Sequence, residues 1–308
     1  AVDGHRDAAV LGGGVGAHAA SQDRGITVAI NGKGSVRGGG GLWMDNGAVW
    51  MTDDSQFLNN RVINPNNGGG PEFAGVGGAM YVHPCDCESG VRMSGNAKCS
   101  LNRAGVGAGI VIPDGPFLGY AGLWLEDDAS ITRNRADSYA AGFFLNGVPL
   151  WMENDAAITE NTSMGAVGGG MITGFMFNGD SYDYALDMLD NARISGNTSV
   201  NAVGGVNLQA AYGRLQGSAT ISGNRAEFDG GGVYLSWVEF GPDTNSWFSG
   251  IDLYDSSTIT GNIAANSDTG SGGGVYSDLP ANEVIGGERI TGNTPDDCVG
   301  SASPTCNT

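Results

Sequence analysis

The sequence predicts an all-β chain, a single parallel β-solenoid of about nine coils with three short strands in each. Three observations lead there. A tetrapeptide ending in Asn returns along the chain at steps of 27 to 42 residues, apolar residues alternate with period two around it, and no helical period intervenes. Glycine supplies 55 of 308 residues without a three-residue period, so collagen is excluded. The 40% of hydrophobic residues, including 10 Phe, 9 Tyr and 6 Trp, gives the chain enough to bury that simple disorder is excluded as well.

Taken in coil order, the first element is the strand upstream of the tetrapeptide. Val49, Trp50, Met51; Val91, Arg92, Met93; Leu123, Trp124, Leu125; Leu150, Trp151, Met152; Leu186, Asp187, Met188; and Ile251, Asp252, Leu253 all read apolar, variable, apolar. Such alternation marks a strand with one buried face. Next comes a turn rich in Asp and Asn, with Asp53, Asp54, Asp127, Asp128, Asn154, Asp155, Asp190, Asn191 and Asp255 in matching places. Asx turns explain this column. A calcium site is its functional rival, because Ca²⁺ takes six to eight oxygen ligands and Asp127, Asp128 and Asp155 form the densest group. No other cofactor is expected.

The tetrapeptide itself is the second strand. It reads ITRN at 131–134, ITEN at 158–161, ISGN at 194–197 and 221–224, and ITGN at 259–262 and 290–293, with weaker copies FLNN at 57–60 and CSLN at 99–102. Its Asn residues, Asn60, Asn102, Asn134, Asn161, Asn197, Asn224, Asn262 and Asn293, are read as an inward ladder, since each amide offers two donors and an acceptor to neighbouring coils. Ser100, Thr132, Thr159, Ser195, Ser222, Thr260 and Thr291 point outward and reflect β-propensity. After the Asn, glycine pairs or triplets mark a corner of positive φ or close backbone approach. The third strand follows, and its outward column is read as Trp43, Tyr81, Val111, Phe144, Ile172, Asn207, Tyr234 and Tyr276. Extending the pattern backwards, residues 28–30 and Val36 fit the same columns, with Gly39 where Asn is expected. Nine coils at about 4.8 Å each make a rod roughly 40 Å long.

Residues 1–11 are expected to be a tail, 12–293 the β-helix, and 294–308 a cap clipped by a Cys298–Cys306 disulfide. One of Cys85, Cys87 and Cys99 is then left over or paired outside the chain. Disulfides imply an oxidising compartment, and the lack of an initiator Met or leader reads as a processed, secreted chain.

FLNN and ITGN, followed by GGAM at 77–80 or GGGVY at 230–234, resemble the FxxN and GGA(I/L/V) repeats of chlamydial polymorphic outer-membrane proteins and related bacterial adhesins, with Ile usually in place of Phe. The resemblance covers roughly residues 12–293 and implies a right-handed β-helix and a surface-exposed, adhesive or structural protein.

Composition narrows the partners. With 14 basic against 33 acidic residues the formal charge is −19, which excludes nucleic acid and anionic lipid, and no apolar run is long enough to insert in a membrane. Catalysis finds little support. The NTD, GHG and RIK motifs of polygalacturonase-like β-helices are missing, although Arg92 and Arg214 occupy an outward column where a lyase base could sit. The informative columns are aromatic. Trp43, Tyr81, Phe144, Tyr234 and Tyr276 on one strand, and Trp50, Trp124 and Trp151 on another, would face water on a lone rod. Loops at 113–120, 174–184 and 236–249 are candidates to cover them. Otherwise they serve assembly of the chain into a homo-oligomer or extracellular filament, or stack on a glycan or pack on a surface protein.

Overall fold

The computed structural model describes residues 33–34, 40–45, 48–62, 75–83, 89–113, 121–174, 184–236, 249–266, 272–278 and 283–300. It is a parallel β-solenoid, and its strands lie in four parallel sheets that run the length of the stack. We name them in coil order from the strand that precedes the Asp-rich turn. Sheet D begins with Ala48–Met51, sheet A with Gln56–Leu58, sheet B with Lys33–Gly34 and sheet C with Leu42–Asp45. Sheets A, B and D have eight strands and sheet C has nine.

Each coil therefore has four strands, not three. The extra one follows the ladder Asn directly and is only two residues long in most coils, as in Arg61–Val62, Thr162–Ser163 and Arg225–Ala226. So short an element has no alternation to detect. The inward column of sheet A falls in register as expected. Phe57, Cys99, Ile131, Ile158, Ile194, Ile221, Ile259 and Ile290 pair coil to coil in sheet A, and all are buried. These and the inward residues of sheets C and D form one continuous core. Cys99 is a free cysteine in that core, and burial pushes its thiol far above the ordinary range.

All eight predicted Asn side chains are buried, and they form a directional ladder. Asn134 Nδ2 and its backbone N–H both donate to Asn161 Oδ1 at 3.0 Å, while Asn134 Nδ2 also donates to the Cys99 carbonyl at 3.0 Å. The same pattern passes from Asn102 to Asn293. Every rung thus needs an acceptor in the coil ahead. Beyond Asn293 that acceptor is Asp297 Oδ1, which receives its backbone N–H at 2.8 Å and its Nδ2 at 2.9 Å. Asp297 sits in Asp296–Gly300, a strand that extends sheet C past the last Asn.

The glycine corner is set by this ladder. A Cβ on Gly169 would lie 2.2 Å from the Gly205 carbonyl oxygen and 3.3 Å from Asn197 Nδ2, so close backbone approach, and not positive φ, demands glycine there. The Asp-rich turn is different. Asp53, Gly95, Asp127, Asn154, Asp190, Gly217 and Asp255 all have φ between 54 and 72°, a region that Gly, Asn and Asp tolerate best.

Residues 1–11, 28–30, Val36, Gly39, Cys85, Cys87 and Cys306 lie outside the described residues, and with them the N-terminal tail and the partner proposed for Cys298.

Candidate functional site

The strongest outward features stand on sheets C and D, either side of the corner where strand C hands over to strand D. Register in sheet C places Trp43, Tyr81, Val111, Phe144, Met171, Asn207, Tyr234 and Tyr276 in one column. Met171 replaces the expected Ile172, which is buried in the core opposite Leu145. The reason is local. Gly170 takes the first strand position, where the Phe143 ring from the preceding coil fills the space a side chain would need. Sheet D carries Trp50, Arg92, Trp124, Trp151, Asp187, Arg214 and Asp252 in one column, as expected.

The rings of these columns stack on each other from coil to coil. Trp43 and Tyr81 have centroids 4.4 Å apart and planes within 13°; Trp124 and Trp151 are 5.0 Å and 15°; Tyr234 and Tyr276 are 5.1 Å and 18°. Neighbouring coils are separated along the rod by about the same distance. Rings in contact keep about 3.5 Å between planes, so their normals point mainly along the rod axis. In each pair, one face of each ring is spent on the other. What they offer outward is a rib of ring edges, not a flat platform.

Exposure varies along the ribs. Trp43 is 42% and Trp50 78% exposed, whereas Val111, Met171 and Asn207 are buried. Tyr139 packs edge-on to Phe144, with centroids 6.4 Å apart, and its hydroxyl bonds Asn207. It thereby covers the middle of the sheet C column, and its phenol is raised by that burial. On sheet D, Tyr184 does the same: its hydroxyl donates to Asp252 Oδ2 at 2.8 Å, and the Arg214 guanidinium lies 4.7 Å over its ring. Of the three proposed covering loops, residues 114–120, 175–183 and 237–248 lie outside the described set. Tyr139 was not anticipated, because it belongs to the strand Arg135–Tyr139 on sheet B.

Beyond Trp151 the sheet D column turns ionic. Arg214 is held bidentately by Asp187, at 2.9 Å from Nε and 2.6 Å from Nη2. That hydrogen bonding raises its pKa first of all, so it stays a cation and has no proton vacancy with which to act as a base. Arg92 is paired to Glu126 at 2.6 Å.

The Asp-rich turn borders this face. Asp127 Oδ2 accepts the Gly95 N–H at 3.0 Å, Asp190 Oδ2 that of Asn154 at 3.3 Å, and Asp255 Oδ2 that of Gly217 at 3.1 Å. These bonds cross from one coil to the preceding one and are not the local Asx turns expected from the sequence. Asn154 Nδ2 adds a contact to Asp127 Oδ1 at 3.4 Å, and the carboxylates crowd enough that Glu153 is raised by desolvation and by Glu126, Asp190 and Asp127. Of the calcium candidates Asp127, Asp128 and Asp155, the first is thus committed to backbone and amide donors. Among the described residues no group of three His, Cys, Asp or Glu side chains is arranged to hold a metal ion.

No described helix is long and apolar enough to cross a membrane. Comparison with protein-family models, curated proteins and solved structures finds no match for the chain.

Proposed function

We propose that this chain is a secreted, non-enzymatic structural or adhesive surface element that assembles into an extracellular filament or array through the aromatic ribs of sheets C and D. The orientation of the rings carries this reading. A sugar stacks on an open ring face, whereas paired faces with outward edges suit apolar packing against another protein. Engagement of Arg214 by Asp187 supports a non-catalytic role for that column. The likeness of the FLNN and ITGN repeats to those of bacterial β-helix adhesins supports surface exposure, as would a Cys298–Cys306 bridge. Nucleic acid and membrane insertion have no part in the proposal.

The second reading is a carbohydrate-binding adhesin, and one observation favours it. Trp50 is the most exposed large apolar side chain of the described residues, and its register neighbour is Arg92, not another ring. Light scattering over rising concentration in 0.5 M salt separates the two. Assembly that is lost in a Trp43→Ser/Trp50→Ser/Trp124→Ser variant is the expected result. Monomers at every concentration that bind neutral glycans through Trp50 would replace the assembly reading.

A further inference from the structure

The turn that follows sheet D spaces its acids with care, except on two coils. Asp53, Asp127, Asp190 and Asp255 share one turn position and stand on alternate coils, each parted from the next by Gly95, Asn154 or Gly217. Like charges on successive coils would repel at about 4.8 Å, and the alternation avoids that. Two other turn positions do carry acids on successive coils, and both do so on the same pair of coils. Glu126 and Glu153 donate their N–H groups to the Met93 and Leu125 carbonyls, which sets them at one position, held by neutral residues such as Ser94 and Leu189 in the flanking coils. Asp128 and Asp155, both exposed, repeat the doubling two residues on.

These are the coils of the stacked Trp124–Trp151 pair. Each glutamate stands two residues, about 7 Å, beyond its tryptophan on the outer face of sheet D, and Glu126 is paired there with Arg92 of the same column. Counted in full, residues 121–132 and 149–159 hold five acids and no Lys, Arg or His. The flanking coils, 89–100 and 185–195, add Asp187 and Asp190 against Arg92, Lys98 and Arg193. Arg92 is taken by Glu126, and Arg193 reaches the Asp155 carbonyl at 3.4 Å. Across sheet A, Arg133 is held by Glu160 and Arg135 lies against Asp137. Glu153, Asp128 and Asp155 therefore have no ion-pair partner among the described residues. Crowding shows in Glu153, which is raised by desolvation and then by Glu126, Asp190 and Asp127, with Arg92 opposing. A fold that alternates its acids elsewhere gains no stability from this doubling.

We infer that this stretch of sheet D binds a lysine-rich segment of another protein. The inference rests on the reading of the ribs as contact surfaces and names the partner of one of them. A lysine side chain matches both halves of the site, because its apolar four-carbon stem can lie along the indole edges while its ammonium reaches the carboxylate rows. Guanidinium suits it less. Arginine stacks on ring faces, and the faces here look along the rod, at each other and at the register neighbours Arg92 and Asp187. A second copy does not supply the ligand, since this chain has two lysines, Lys33 and Lys98, in 308 residues. Charge complementarity selects the occupant and steers its approach.

Fluorescence anisotropy of a labelled octalysine peptide with the full chain, in 25 mM and 500 mM salt, tests the site. The expected result is binding at low salt whose dissociation constant rises at least tenfold at high salt. Glu126→Gln/Glu153→Gln and Trp124→Ser/Trp151→Ser variants with native circular dichroism should each weaken it at least tenfold at low salt. Glu227→Gln/Glu283→Gln, which removes the same charge from exposed positions elsewhere, should change it less than threefold. The Glu126→Gln/Glu153→Gln variant keeps the side-chain shapes and carries the test if the serine variant does not fold. Equal losses in the two charge variants, or a folded Trp variant that binds like the parent, would overturn the inference. Binding of spermine or a chitosan hexamer here without octalysine would overturn it too and assign the site to a free amine or an amino sugar. Light scattering in 0.5 M salt keeps this inference apart from the assembly reading. Monomers that bind octalysine at low salt would end the filament and leave this site standing, and rods that assemble but never bind it would end this site alone.

Discussion

Replacing Asn161 by Ala tests the ladder where it is most constrained. The side chain makes four hydrogen bonds: its Oδ1 accepts Asn134 N–H and Nδ2, and its Nδ2 donates to the Ile131 carbonyl and to Asn197 Oδ1, all at 3.0 Å. Each such bond contributes about 1 kcal/mol net, and a buried backbone N–H left without a partner costs about 1–3 kcal/mol. Asn134 N–H is one. The substitution should therefore cost roughly 4 kcal/mol, read as a shift of the midpoint in guanidinium unfolding at unchanged m-value. Thr159→Ala, which removes only the 3.1 Å bond to Thr132 on the surface, should cost about 1 kcal/mol or less. Asn161→Asp sharpens the test, because a carboxylate can accept from Asn134 but cannot donate onward. It needs a proton to do so, its pKa is raised, and the variant should lose stability as pH rises through the carboxylate range. If Asn161→Ala cost no more than Thr159→Ala, the buried amides would not hold the coils together.

Further outcomes follow from other residues. Gly169→Ala should prevent stable folding, since its Cβ would meet the Gly205 carbonyl at 2.2 Å, whereas Gly223→Ala, with open space but φ +62°, should cost only about 1 kcal/mol by thermal melting. Asp297→Ala should loosen the C-terminal coil, seen as faster amide exchange at Asn293, and Asp297→Asn should largely restore it because Asn also accepts there. Native protein at pH 8 should leave Cys99 unmodified by iodoacetamide, with labelling only on unfolding, as its thiol stays protonated in the core. Tyr139, Tyr184, Tyr234 and Tyr276 are all raised, chiefly by desolvation. Raised groups favour the folded state at pH below the usual ~10 and withdraw that support above it, so alkaline unfolding and the tyrosinate absorbance should rise together. Millimolar calcium should not move the Tm, since Asp127 is already committed to Gly95 and Asn154.

Much of the fold was legible because a solenoid repeats its physics. The inward positions of sheets A and D and the Asn ladder showed as columns once the tetrapeptides were aligned. What escaped was either too short or too far away in sequence. Two-residue strands such as Thr162–Ser163 carry no period, so sheet B was absent from the reading. The bonds of Asp127, Asp190 and Asp255 span 32 to 38 residues, beyond any local turn motif. A third glycine before Met171 shifted one column by a residue, and Asp297 lies in the 294–308 stretch read as a cap, outside the repeat, where only the polarity of the ladder shows that its last rung needs an acceptor. The outward aromatic columns were legible as residues, but not the direction in which their rings face.

Electron cryomicroscopy of the assembled protein tests the central claim most directly. The account predicts rods in lateral contact, with the Trp43, Trp50 and Trp124–Trp151 ribs buried between neighbours. Separate rods, or rods joined so that Trp50 and the Trp124–Trp151 pair remain in solvent, would contradict it.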